Sequence, residues 1–172
     1  MRKTRVSFLL GCCLFAVAAL AWAQAVRKPG LWEMTAVMTW QQSPMPVGMT
    51  MPAGMKNPFS GTTTTTQVCL TQAQIDKYGA PMPQSRKDCQ ITNVVLKATG
   101  MSAEMVCSGQ MNGKATLESS WPGGDQAKGK VHFVGTMQSG KGTMPVEWTV
   151  NSTSVYKGAD CGSVKPQPLP GN

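Results

Sequence analysis

The stretch Leu31-Trp32-Glu33-Met34-Thr35-Ala36-Val37-Met38-Thr39-Trp40 decides the fold. Trp32, Met34, Ala36, Met38 and Trp40 take every second place, with Glu33, Thr35 and Thr39 among the residues between them. Only a pleated strand, with its period of two, sends those sets to opposite faces. One face is apolar and the other is wet. Two indoles and two thioethers on one side present a large apolar area, about 200 Å² per aromatic ring once covered, so a sheet must close over it.

The same alternation recurs outward from this strand. Met144, Val146, Trp148 and Val150 oppose Thr143, Glu147 and Thr149, and Val131 and Phe133 point inward within 130–137. Met101, Ala103, Met105 and Cys107 share one face, with Ser102, Glu104 and Ser108 on the other. A β-branched run over 62–70 and a strand over 90–96 complete the set, separated by turns at 97–100, 121–125 and 139–142. Asn112-Gly113 has the composition of a hairpin turn. A tight turn there would put Glu118 on the same face as Met105 and Cys107, so a wider loop over 109–113 is expected. Thr71-x-x-Gln74 is a capping-box pattern with Gly79 at C′ and Pro81 beyond, which predicts one helix over 72–78. The chain therefore reads as mainly β. About seven strands form a single antiparallel meander that curls into a half-barrel or sandwich.

The N-terminus reads as an export signal over 1–23. Arg2, Lys3 and Arg5 form the positive region, an apolar run follows over 8–20, and Ala21-Trp22-Ala23 supplies the cleavage site. The apolar run is shorter than the roughly 20 residues that span a bilayer. Cleavage near Ala23 leaves a β-rich domain over 24–165, with a Met- and Pro-rich loop over 41–60 and a Pro-rich tail over 166–172. The expected location is the periplasm or the extracellular space. Losing Arg2, Lys3 and Arg5 lowers the formal net charge from +8 to +5. The remaining basic residues are scattered, without the clusters or interleaved aromatics that track phosphate, so nucleic acid is not an expected partner. No later segment has the composition of a transmembrane span.

Cys12 and Cys13 leave with the signal, and Cys69, Cys89, Cys107 and Cys161 remain. An even count in an exported chain reads as two disulfides. Folding about the turn at 97–100 brings Cys89 to Cys107, which leaves Cys69 for Cys161. No C-x-x-C is present, and the single histidine, His132, lies far from any cysteine in sequence, which argues against zinc, haem attachment and thioredoxin-type redox chemistry.

One segment has a chemical reading of its own. Met45, Met49, Met51 and Met55 place four thioethers within eleven residues, and such soft neutral ligands select Cu(I) where thiols would be oxidised. The same loop also reads as an apolar flap over the sheet or a contact surface for an apolar partner. His132 alternates outward on its strand, and no nucleophile or orienting carboxylate is spaced to make a triad with it. The acidic residues are dispersed, and Gly123-Gly124 and Gly140-x-Gly142 lack the strand-turn-helix context of a phosphate cradle.

Taken together, Arg27-Lys28-Pro29-Gly30-Leu31-Trp32-Glu33, Val68-Cys69-Leu70-Thr71 heading a short helix, Cys89, Cys107 and Tyr156-x-Gly158-x-x-Cys161 form a recognisable pattern. The chain resembles the exported bacterial proteins grouped as domain-of-unknown-function family 3617. The resemblance covers nearly all of the expected mature chain. It implies a small envelope domain with a signal peptide and paired cysteines, and it carries over no catalytic or binding residue. The expected function is a non-enzymatic binding domain for an apolar ligand or an envelope protein partner, with no catalytic residues and no cofactor. The alternative is a Cu(I) binder or carrier through the loop from Met45 to Met55, and a third reading is an envelope hydrolase.

Overall fold

The structure is a computed structural model that describes residues 27–44, 61–80, 88–140 and 142–166. The segment read as a signal, most of the Met- and Pro-rich loop and the end of the tail lie outside these residues. Seven strands are formed: β1 Gly30–Gln42, β2 Thr62–Leu70, β3 Cys89–Lys97, β4 Gly100–Ser108, β5 Met111–Ser120, β6 Gln126–Ser139 and β7 Gly142–Gly158. One helix, α1 Gln72–Tyr78, follows β2. All neighbours pair antiparallel in one open sheet of order β2-β1-β7-β6-β5-β4-β3. Strands β3 to β7 run as a meander, β1 lies against β7, and β2 forms the edge beyond β1. The passage from β2 through α1 to β3 thus takes the chain from one edge of the sheet to the other.

The register explains why β1 is central to the fold. Trp32, Met34, Ala36, Met38 and Trp40 stand opposite Tyr156, Ser154, Ser152, Val150 and Trp148 of β7, so the apolar faces of the two longest alternating patterns are one surface. Gln41 and Gln42 extend β1 by two residues beyond the alternating stretch, into what the prolines had marked as loop. Within the core, Trp32, Leu70, Ile75, Tyr78, Met101 and Trp121 belong to one buried cluster with Phe133 and Val146. The inward side of β1 therefore shares its core with that of β4, and the sheet has a concave face.

Helix α1 caps one end of that face. Thr71 and Gln74 form the reciprocal capping box, with the Thr71 amide donating to Gln74 Oε1 at 2.8 Å and the Gln74 amide to Thr71 Oγ1 at 3.3 Å. The helix stops at Gly79, whose φ of 65° is left-handed. A side chain there would also run into the ring of Trp121, with a Cβ only 2.4 Å from its nearest atom. Ile75 and Tyr78 go into the core, while Gln72, Asp76 and Lys77 stay exposed.

Asn112-Gly113 is a departure from the sequence reading. The turn lies earlier, at Gly109 and Gln110, and Asn112 and Gly113 pair inside the ladder with Ser108 and Cys107. Gly113 is needed there for space. It faces Gly135 across the β5–β6 pair, and a Cβ on either would come within 2.9 Å of the Phe133 ring. The two glycines leave a hollow that Phe133 covers, and Phe133 in turn stacks on Trp148 at 5.3 Å with its ring plane 12° away. Moving the turn also keeps Glu118 on the wet face, exposed, while Leu117 is buried.

Two disulfides join Cys69 to Cys161 and Cys89 to Cys107. The second links directly opposite residues of β3 and β4. The first ties edge strand β2 to the segment after β7, where Pro166 also makes a parallel bridge to Cys69. That segment lies along part of an edge that would otherwise offer unpaired backbone groups to another chain.

Candidate functional site

The concave face is not filled along its whole length, and the reason lies in one row of the sheet. Ala36 of β1 pairs with Ser152 of β7, Ser152 with Gly129 of β6, and Gly129 with Ser119 of β5. Four neighbouring strands thus present alanine, serine, glycine and serine side by side. The next row toward α1 contributes Met34, Ser154 and Ala127, and the row on the other side is bulky, with Met38, Val150, Val131 and Leu117. Small side chains between larger ones leave a cavity of about 270 Å³. Its walls include Met34, Val68, Met101, Leu117, Val131 and Val150, and its polar groups include Ser119, Ser152 and Ser154. At the ~30 Å³ that one liquid water occupies, this is room for about nine heavy atoms.

Of the charged residues that line this cavity, Arg27, Glu118, Lys128 and Lys130, only Arg27 is buried. Arg27 lines the cavity and is 2 % exposed. The chain ahead of β1 folds back to bring it there. Trp32 Nε1 donates to the Lys28 carbonyl at 2.9 Å, the Tyr156 hydroxyl donates to the Pro29 carbonyl at 3.3 Å, and Gly30 takes a φ of 130°. A side chain at Gly30 would collide with the Gly158 carbonyl, 2.2 Å from its Cβ. Held in this way, the guanidinium lies over the Trp32 ring at 4.4 Å and 6.0 Å from that of Trp121. Burial lowers its pKa to about 10, which leaves it charged at neutral pH. No carboxylate among the described residues pairs with it, and its Nε has no hydrogen-bond partner. Asp125, in the loop after Trp121, pairs instead with Lys28 at 2.6 Å and raises the lysine's pKa through that hydrogen bond.

Arg27 was not singled out as a site residue in the sequence. The available signal was its place in Arg27-Lys28-Pro29-Gly30, a turn sequence just ahead of an inward tryptophan.

The other residues singled out in the sequence are distributed as follows. Met45, Met49, Met51 and Met55 lie outside the described residues. His132 Nε2 meets Glu147 Oε1 at 2.9 Å on the half-exposed outer face. Among the carboxylates, Glu33 pairs with Lys157, while Asp76 and Glu104 accept from Gln72 and Asn93. With Asp125 on Lys28 and Glu147 on His132, these carboxylates are each matched to a base or an amide and not to another acid. Among the described residues, no group of three or more His, Cys, Asp or Glu side chains is placed to hold a metal ion. A second depression, of about 500 Å³, lies where Ser102, Glu118, Lys130 and Asn151 form an outward cross-strand row. It is a groove between exposed charges, and it shares Met101, Ser119 and Gly129 with the first cavity. Among the described residues, no helix is long and apolar enough to cross a membrane.

A family model described as protein of unknown function (DUF3617) matches residues 27–161, a span that begins at the buried arginine and ends at the last disulfide cysteine. No curated protein and no solved structure matches the chain.

Proposed function

We propose that the chain, which belongs to the DUF3617 family of proteins of unknown function, is an exported, non-enzymatic binding domain whose concave face takes a small apolar ligand. The observation that carries this reading is the cavity over the Ala36-Ser152-Gly129-Ser119 row. A concave, mostly apolar hollow with a few convergent polar groups is the usual form of a small-molecule site. Protein cores otherwise pack to the density of organic crystals, and a void of this size sacrifices dispersion contacts on every wall. Two disulfides support export, since such bonds persist in oxidising compartments, and the pattern of residues 1–23 supports removal of a signal near Ala23.

The test is titration of the purified domain with 1-decanol, followed by tryptophan fluorescence, beside Ala36→Leu and Ser152→Leu. Both substitutions extend an alkyl group into the hollow from opposite sides of one strand pair. Saturable binding by the wild type, weakened at least tenfold in both variants with the far-UV circular dichroism unchanged, is the expected result. No saturable binding by the wild type, or equal binding by all three, refutes the proposal.

A further inference from the structure

We infer that the ligand of this cavity is an anionic amphiphile, whose carboxylate or phosphate head is received by the Arg27 guanidinium while its apolar body lies over the small-residue row. The inference rests on the binding reading given above and names the ligand class. A guanidinium has two π faces and five N–H donors in its plane. Trp32 and Trp121 engage it through their rings, at 4.4 and 6.0 Å, and a ring face does not itself take up an in-plane donor. Nε is one of those donors, and it is buried without a partner among the described residues.

Buried charges are ordinarily paired, and buried polar groups ordinarily hydrogen-bonded. An arginine that serves only to pack two indoles would be expected to find a carboxylate. Asp125, in the loop that follows Trp121, pairs with Lys28. The charge is therefore held in the wall of an apolar hollow with donor capacity to spare. Planar bidentate recognition of a carboxylate or phosphate is what that capacity fits. Ser154, 6 % exposed and in the inward row next to that of Trp32, offers a hydroxyl on the same side of the cavity. The cavity has room for about nine heavy atoms in all, so a chain of up to roughly ten carbons with its head at Arg27 suits the space.

The decisive experiment compares decanoate, decyl phosphate, 1-decanol and decyltrimethylammonium on the wild type and on Arg27→Met at neutral pH. The expected result is that one or both anions bind the wild type at least tenfold tighter than decanol, and that decyltrimethylammonium binds weakest. Which anion is preferred identifies the head group. In Arg27→Met the anions lose that advantage over decanol. If decanol and the anions bind the wild type equally, the inference is refuted and the binding site stands. If none of the four binds, the cavity reading falls as well. The wild-type ranking does not depend on the variant's folding, so it decides the matter even if Arg27→Met is poorly expressed.

Discussion

Replacing each disulfide in turn by an alanine pair should rank the two bridges, and the loop lengths set the size of the difference. The sequence separations are 92 residues for Cys69–Cys161 and 18 for Cys89–Cys107. If the bridges act by restricting the unfolded chain, those separations correspond to about 4.6 and about 3.2 kcal/mol. The shorter loop lies inside the longer one, so when the inner bridge is intact the outer one closes about 74 free residues, which lowers its share only to about 4.5 kcal/mol. Cys69→Ala/Cys161→Ala should therefore destabilise by about 1.3 kcal/mol more than Cys89→Ala/Cys107→Ala. Urea unfolding at neutral pH reads this. Because removing a bridge lets the unfolded chain expand and alters the slope, extrapolated free energies, not midpoints, are compared. A larger loss on opening Cys89–Cys107 would refute the chain-entropy argument. It would place the stabilisation in the native β3–β4 contact, where Cys107 is 1 % exposed.

Two further outcomes test the core and the site. Phe133→Ala should lose about 4 kcal/mol in the same assay, toward the upper end for a buried aromatic, because the ring is fully buried and also covers Gly113 and Gly135. Val134→Ala next to it, at 52 % exposure, should change stability by under about 0.5 kcal/mol, and a Phe133 loss below about 2 kcal/mol would mean that the glycine pair collapses to fill the space. Arg27→Met should stabilise the ligand-free domain by about 1 kcal/mol. The lowering of its pKa to about 10 corresponds to a penalty of about 3 kcal/mol, of which the cation–π contact with Trp32 returns about 2. Since the folded chain holds this proton less tightly than the unfolded chain, stability rises with pH through this group only in the window that opens at about pH 10. Below that window the penalty is constant, so the gain should be flat between about pH 5 and 9. A gain that varies across that range would implicate another titrating group.

The sheet was legible because its signals are local. Alternation in β1 and β7, the capping box at Thr71 and Gln74, and Gly79 at the helix end each follow from spacing within a few residues. The pairing of Cys89 with Cys107 was legible for the same reason, since a turn nearly midway between them makes them opposite neighbours. The pairing of β1 with β7 was not, because two strands of equal apolar pattern do not announce which will meet. Asn112-Gly113 misled because glycine serves both turns and close approach, and only the position of Phe133 distinguishes them. The cavity was illegible altogether. Ala36, Ser119, Gly129 and Ser152 are unremarkable in their own strands, and they form a row only once the register of four strands is fixed.

The same consideration bears on why Arg27 and the hollow occur together. A void and a buried cation with no carboxylate partner among the described residues each lower stability, and a chain selected only to fold would relieve both with a leucine in the small-residue row and a methionine at position 27. The surrounding structure instead maintains them. Gly30 is committed to a backbone angle that turns the preceding segment over the sheet, and two hydrogen bonds, from Trp32 and Tyr156, fasten that segment down. Two disulfides offset losses of this size. Local departures from good packing that the rest of the fold is built to sustain are the mark of a site rather than of a poor core, because stability is given up where binding needs it. In this domain both departures fall on the walls of one cavity, and an anionic head with an apolar body would satisfy the two at once.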